Sequence, residues 1–313
     1  MHSPLATPKA TIETLQAFGL YTKKRLGQHF LIDDNVIGRI LEAADLAESD
    51  HILEIGPGIG VLTVALLQQL EQLAGAGKVL ALEYDQQLIE VLESTTQSEH
   101  PPSFLSVAKD LALDAGSHPY IPSEHPRLTI LNEDALNIPQ LEVLQEFAPT
   151  KLVANLPYQV AATNVLDCFE YLPSMRQATV MVQREVAQRM AAGPGTKVYG
   201  AYSAKLQLLA DPVDIFAVSR NSFLPPPRVD SSVITLRRRD EADLLVTDIE
   251  HYRRVAAVID ACFAQRRKTI YNNLRSKENS AGIMDALRQA DIDPQVRAEM
   301  LAPCDFVRLE SFL

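Results

Sequence analysis

Residues His51 to Leu73 constrain this chain more than any other stretch. His51-Ile52-Leu53-Glu54-Ile55 reads as a buried strand, Gly56-Pro57-Gly58-Ile59-Gly60 as a tight loop, and Val61 to about Leu73 as an apolar helix. A strand that runs into glycines and returns as a helix is the first turn of a Rossmann-like α/β domain. Glycine permits both the sharp turn and the close approach of a ligand to the backbone. The next strand, Lys78 to Leu82, ends in Glu83, where an acid can accept from ribose hydroxyls. Asp85 is the competing acid, but its place just before a helix from Gln86 to Leu92 suits an N-cap. These features do not separate a nicotinamide cofactor from S-adenosylmethionine, since both present an adenosine ribose.

The second constraint is Asn155-Leu156-Pro157-Tyr158. It follows the apolar run Lys151 to Ala154, read as the fourth, buried parallel strand. Proline stops both helix and further sheet pairing. The chain therefore halts at the carboxyl end of a strand, where open α/β sheets bind ligands. There it presents an amide oxygen, backbone carbonyls around a proline and a flat ring. A planar base with an exocyclic amino group needs those three features: oxygens accept from the NH2 and the ring stacks on the base. An ordinary strand-ending turn is the bland reading of the same residues.

Other elements fall into order around these two. Asp33 or Asp34 caps a helix with apolar Val36, Ile37, Ile40 and Leu41. Arg127 to Leu131 is the third strand, and Asp134 just past it can accept from an adenine amino group or cap a helix. Ala178 to Val182, Pro212 to Val218 and Val233 to Leu236 are the fifth, sixth and seventh strands. No crossover helix separates the last two, so the sheet closes there in a hairpin-like way. Between them, Phe223-Leu224-Pro225-Pro226-Pro227 is an extended segment that proline keeps out of a sheet, with Phe223 on a rigid loop. Residues 95–126, broken by five prolines, read as a surface insertion. His100, His118 and His125 within it are too irregularly spaced for a metal site, so no metal is expected. From about Asp240 the chain is helical (Tyr252 to Leu274, Ile283 to Ala290, Pro294 to Leu301, and then a short tail). This divides it into residues 1–240 and a small helical domain, residues 241–313.

Charge bears on the partner. The net charge of −11 at first argues against nucleic acid. Residues 251–279, however, hold seven basic and two acidic side chains, and a local patch matters more for phosphates than the whole-chain charge. Arg266, Arg267 and Lys268 belong to that patch, Arg237 lies upstream of it, and Lys23, Lys24 and Arg25 precede a glycine in what reads as a solvated loop or a lid. Three scattered cysteines suit a reducing compartment. The apolar runs are too short to span a bilayer, and the N-terminus lacks a signal pattern. A cytoplasmic protein with no membrane partner is expected.

Taken together, the motifs resemble the dimethyladenosine transferases of small-subunit ribosomal RNA. The resemblance rests on Gly27-Gln28-His29-Phe30-Leu31, Glu54-Ile55-Gly56-Pro57-Gly58, Asn155-Leu156-Pro157-Tyr158, the Phe223 to Ser231 segment and Gln265-Arg266-Arg267-Lys268-Thr269-Ile270. It implies a class I methyltransferase sheet of seven strands with the last antiparallel, and S-adenosylmethionine as cofactor. By the same resemblance, the cofactor is touched by His29, Leu31, Gly56, Gly58, Glu83, Asp134 and Asn155. Asn155, Leu156, Pro157 and Tyr158 surround the target base, with Tyr158 and Phe223 as stacking rings. Position 29 is often Asn in such proteins, and many relatives carry Asn and Ser soon after the tyrosine, where this chain has Gln159, Val160 and Ala161. The implied reaction is N6,N6-dimethylation of two adjacent adenosines near the 3′ end of 16S rRNA during subunit assembly, by a protein acting as a monomer. Two other readings share the fold: an RNA-binding assembly or transcription factor without turnover, and a nicotinamide oxidoreductase.

Overall fold

A computed structural model describes residues 2–20, 29–97, 120–275 and 280–313. Lys23, Lys24, Arg25, His100 and His118 lie outside the described residues.

The strands are β1 (Phe30–Leu31), β2 (His51–Ile55), β3 (Lys78–Glu83), β4 (Tyr120–Pro122), β5 (Leu128–Asn132), β6 (Lys151–Asn155), β7 (Gln177–Gln183), β8 (Ala210–Val218), β9 (Phe223–Leu224) and β10 (Ser231–Arg238). The main sheet runs β4-β5-β3-β2-β6-β7-β10-β8. β5, β3, β2, β6 and β7 are parallel. β10 reverses: the amide of Arg184, just past β7, donates to the Asp230 carbonyl, just before β10 (3.0 Å), and the Thr179 and Thr235 hydroxyls meet mid-strand at 3.3 Å. The seven expected strands are therefore all present with the last antiparallel. An eighth, β4, comes from the far end of the proline-broken tract and pairs antiparallel with β5. Its edge position is the one that tolerates Pro122 in a strand.

Strand order decides where a site can form. β2 sits between β3 and β6, so the chain leaves β2 in one direction for β3 and later returns on the other side as β6. The carboxyl ends of β2 and β6 thus lie side by side at the point where the order reverses. The central strands β2, β3, β6 and β7 are buried on both faces, as their near-continuous apolar runs require. Helices α1 (Pro8–Ala17), α2 (Asp34–Ala44), α3 (Val61–Leu73), α4 (Gln86–Thr96), α5 (Glu142–Phe147) and α6 (Ala161–Tyr171) belong to this first part of the chain. In α2 the Asp33 carboxylate caps the Asn35 amide (3.1 Å), and Val36, Ile37, Ile40 and Leu41 turn into the core.

The chain forms two compact units. The first comprises Met1–Arg184 and Val213–Leu236; the second, Glu185–Pro212 and Arg237–Leu313. The remaining helices are α7 (Arg184–Met190), α8 (Ala201–Leu209), α9 (Ile249–Phe263), α10 (Ile270–Leu274), α11 (Ser280–Gln289) and α12 (Pro303–Glu310). Within the second unit Tyr199, Tyr252 and Phe306 are fully buried, and Phe263 packs on Tyr199 and Phe306.

The single helix expected from Tyr252 to Leu274 is broken in two between Phe263 and Ile270. The Asn273 amide reaches back to the Cys262 and Gln265 carbonyls, and Thr269 caps the new helix at Asn272. These bonds satisfy groups that an unbroken helix would pair internally. A 3-10 turn at Ala298–Met300 replaces the helix expected from Pro294. Helix α12 stands where only a tail was expected.

Candidate functional site

A cavity of about 320 Å³ opens in the first unit where β2 and β6 end. Its wall contains His29, Leu31, Gly56, Gly58, Glu83, Asp134, Asn155, Leu156, Pro157 and Tyr158. Every cofactor residue expected from the sequence is therefore in one place, together with the tetrapeptide. The glycines are there for conformation and room. Gly56 and Gly58 have φ of 69° and 62°, where a side chain is strained. A Cβ on Gly56 would lie 3.4 Å from the Pro157 ring, and one on Gly58 3.3 Å from Phe30. The glycine loop and the proline after Asn155 thus form one surface, a cradle that only a bare backbone leaves open.

Two carboxylates face this cradle. The Glu83 oxygens accept from the Gly58 amide (3.1 Å) and the Asp85 amide (2.8 Å). Burial pushes its carboxyl pKa up, while these amide bonds pull it down. Each oxygen keeps a lone pair for a ribose hydroxyl. Asp85 caps α4 through the Gln87 amide (3.1 Å). Asp134 accepts from the Leu136 amide with one oxygen (2.9 Å) and keeps the other for an amino group. Capping and ligand binding are compatible in that residue.

Glu54 is the residue that sequence reasoning missed. It lines the cavity, is 1% exposed, and its Oε2 has no hydrogen-bond partner among the described residues. Burial, with the Glu83 charge adding to it, pushes its pKa up to about 8. The signal was an acid in an otherwise apolar strand. A polar atom left unsatisfied against a cavity is a place for a ligand group.

The tetrapeptide is tied down by contacts that sequence does not show. The Asn155 side-chain amide donates to the His29 carbonyl (3.2 Å), which leaves its oxygen as an acceptor. The Pro157 carbonyl is taken by the Val160 and Ala161 amides at the start of α6. Among the described residues no donor reaches the Leu156 carbonyl. The Tyr158 hydroxyl and the buried Ser231 hydroxyl share a 2.7 Å hydrogen bond. The Tyr158 ring lies against the His29 ring, 5.9 Å between centroids and 27° between planes.

Phe223 is not in the cavity wall. It is 1% exposed in the hydrophobic core, where β9 pairs antiparallel with β1 and Phe223 lies opposite Leu31. The chain enters a sheet just before its prolines, and the ring offers no face to a base here. His125 also departs from the solvated loop expected of it. It is 5% exposed, with Nε2 3.2 Å from the Glu71 carboxylate.

The basic residues sit in the second unit. Arg266, Arg267 and Lys268 occupy the exposed turn between α9 and α10, not a helix face. Arg266 donates to the Lys197 carbonyl (2.5 Å). Arg267 and Lys268 have no ion-pair partner among the described residues, and Arg237 is exposed. Arg253 and Arg254 are neutralised by Glu250 and Glu310, each at 2.7 Å. Glu310 comes from α12, the helix that sequence reading did not find.

The family model and the curated relatives agree on one family. The family model described as ribosomal RNA adenine dimethylase matches residues 19–313. Ribosomal RNA small subunit methyltransferase A of Thermobifida fusca is 40% identical over 306 residues, covering 97% of this chain and 95% of its own. The protein of the same name from Shouchella clausii is 39% identical over 321 residues, covering 100% and 97%. A crystal structure of a dimethyladenosine transferase from Plasmodium falciparum superposes with a TM-score of 0.66 at 23% identity, covering 90% of this chain and 96% of that one. This last likeness shows the fold alone.

Proposed function

The chain belongs to the ribosomal RNA adenine dimethylase family, and from that membership we propose that it dimethylates two adjacent adenosines near the 3′ end of 16S rRNA at N6 in the assembling small subunit. It is an S-adenosylmethionine-dependent rRNA adenine methyltransferase. One observation carries the reading: a single cavity joins the glycine cradle and Glu83 to Asn155 and Tyr158.

When bound, S-adenosylmethionine supplies a methyl group already activated on a sulfonium. The rest of the work is alignment, which is proximity catalysis. Gly56 and Gly58 let the backbone approach the cofactor, Glu83 accepts from its ribose, and Asp134 accepts from its adenine. The target base leaves its stack to enter the cavity and stacks on Tyr158. Its N6 hydrogens are accepted by the Asn155 amide oxygen and the Leu156 carbonyl. Those bonds favour a more pyramidal nitrogen, whose lone pair is less delocalised into the ring and is directed at the methyl group. Each transfer leaves the nitrogen cationic and therefore acidic, and its proton passes to water, so no strong general base is required. Mass mapping of 16S rRNA from a strain lacking this gene is expected to show two unmodified adenosines that regain both methyl groups on complementation. Unchanged modification overturns the reading.

The second unit supplies the RNA grip in this reading. Arg237, Arg266, Arg267 and Lys268, with Lys23, Lys24 and Arg25, contact phosphates. The acidic remainder limits promiscuous binding. The protein acts as a cytoplasmic monomer; no helix among the described residues is long and apolar enough to cross a membrane. Reversing Arg266, Arg267 and Lys268 to Glu is expected to weaken binding to small-subunit precursors and to flatten its logarithmic salt slope by about 2–3. S-adenosylmethionine affinity stays near that of the parent. Binding across a salt series checks this, and an unaltered slope makes the turn only a solvated surface.

A further inference from the structure

We infer that Ser231 is a positioning residue for the reaction: its hydroxyl holds the Tyr158 ring in the place where the target adenine stacks. This deepens the reading above and rests on it. Ser231 is fully buried and stands outside the cavity wall, so it acts through the tyrosine and not by contact with the base or the cofactor.

The argument begins with strand order. β6, β7 and β10 are neighbours in that order. β6 and β7 are parallel, and β10 runs the other way, so β10 begins at the edge of the sheet where β6 and β7 end. Tyr158 lies just past β6, and Ser231 is the first residue of β10. Their hydroxyls meet at 2.7 Å, so the tip of the ring reaches past the end of β7. The serine is itself firmly held. The Asp230 carbonyl accepts from the Arg184 amide (3.0 Å), and the Asp230 carboxylate pairs with the Arg184 guanidinium (3.1 Å). Both bonds pin the start of β10 to the end of β7.

Tyr158 is therefore held at both ends. At its root, the preceding Pro157 carbonyl accepts from the Val160 and Ala161 amides (3.2 and 3.1 Å). At its tip stands Ser231, whose hydroxyl has no other hydrogen-bond partner among the described residues. Burial pushes the Tyr158 hydroxyl pKa up, so the group stays protonated at neutral pH and can donate or accept. Between these anchors the ring is half-buried and lines the cavity. A base stacked on a ring free to swing would carry N6 away from the Asn155 amide oxygen. A displacement of about 1 Å at reacting atoms can cost about a hundredfold in rate. The bond to Ser231 removes that freedom before the base arrives.

The test uses full-length protein and small ribosomal subunits that lack the modification. Single-turnover methyl transfer is measured against subunit concentration, and S-adenosylmethionine affinity by calorimetry. The proteins are the parent, Ser231→Ala, Tyr158→Phe, the variant carrying both changes, and Tyr158→Ala. Ser231→Ala and Tyr158→Phe each remove one side of the bond and keep the ring. Each is expected to lose about tenfold in the transfer rate at saturating subunits, part of the cost of misalignment, with cofactor affinity unchanged. In the Tyr158→Phe background, Ser231→Ala should change the rate by less than about twofold, because the two residues act through one bond. A serine that serves only the fold would cost the same factor in both backgrounds, and that result overturns the inference. So does a parent-like rate for Ser231→Ala, or a loss confined to cofactor affinity. Should Ser231→Ala fail to fold, Tyr158→Phe decides alone, and the parent's rate at saturating subunits then overturns the inference. Failure of the underlying reading looks different: the parent fails to methylate the subunits, or Tyr158→Ala matches it.

Discussion

Replacing Asn155 by Ala is expected to slow single-turnover methyl transfer by about 10²–10³-fold, the range for removing one preorganised polar contact from a transition state, while S-adenosylmethionine affinity changes only a few-fold. The reason is the direction of the amide. Its nitrogen is committed to the His29 carbonyl at 3.2 Å, so its oxygen is preset as an acceptor before any base arrives. An acceptor at N6 matters most as the nitrogen leaves the plane of the ring and its N–H groups become more acidic. That change belongs to the transition state, so its loss falls on turnover more than on binding. Tertiary support amplifies the effect. β6 delivers Asn155 beside the glycine loop, and Gly56 abuts Pro157, which leaves little slack for a water to take the place of the amide. Rapid-quench methyl transfer at saturating cofactor is the measurement. A rate within threefold of the parent would remove Asn155 from the chemistry.

Glu54→Gln is expected to flatten the dependence of stability on pH. In the folded protein Glu54 is shut between the apolar residues of β2, and burial holds its pKa at about 8 against an ordinary 4.5. The Glu83 carboxylate on β3 raises it further, and Thr63 on α3 lies near enough to moderate the shift. Neither Glu54 Oε2 nor the Thr63 hydroxyl completes a hydrogen bond among the described residues. The folded state therefore binds a proton that the unfolded chain has released at neutral pH. This contribution is fully present below about pH 4.5 and is lost as pH rises through about 8. Integrated over that window it is on the order of 5 kcal/mol. A glutamine cannot ionise, so its melting temperature should overtake that of the parent progressively from pH 5 to pH 9. Parallel curves for the two proteins would show that Glu54 is already ionised when folded.

Much of the site was legible before folding, and the legible parts share a property. The glycine loop, Glu83, Asp134 and the tetrapeptide each carry their meaning within a few residues. A glycine can take positive φ, a proline stops a strand, and an acid at a strand tip faces the ligand side. Parallel topology then brings those tips together, because a chain that alternates strand and helix has few other ways to bury its apolar runs. What failed was of another kind. Phe223 looked exposed because prolines follow it, yet two residues of pairing with Phe30–Leu31 place it in the core. The helix over the basic cluster had the right apolar period, since Tyr252, Val255, Ile259 and Cys262 are all buried. It breaks because Asn273 reaches back to carbonyls that an unbroken helix would have used.

By itself, then, the sequence determined the class of fold, the glycine cradle and the strand-ending tetrapeptide that lines the same cavity. Each follows from backbone stereochemistry and periodicity along a short stretch. Only the tertiary structure decided that burial pushes the Glu54 pKa up, that the Asn155 amide nitrogen is committed to the His29 carbonyl, and that Tyr158 faces His29. It also decided which arginines of the second unit are neutralised by Glu250 and Glu310. A protonation state, an amide orientation or a ring stack depends on dielectric and hydrogen-bond partners. Those come from segments far apart in the chain, and they exist only once the sheet has brought the segments together.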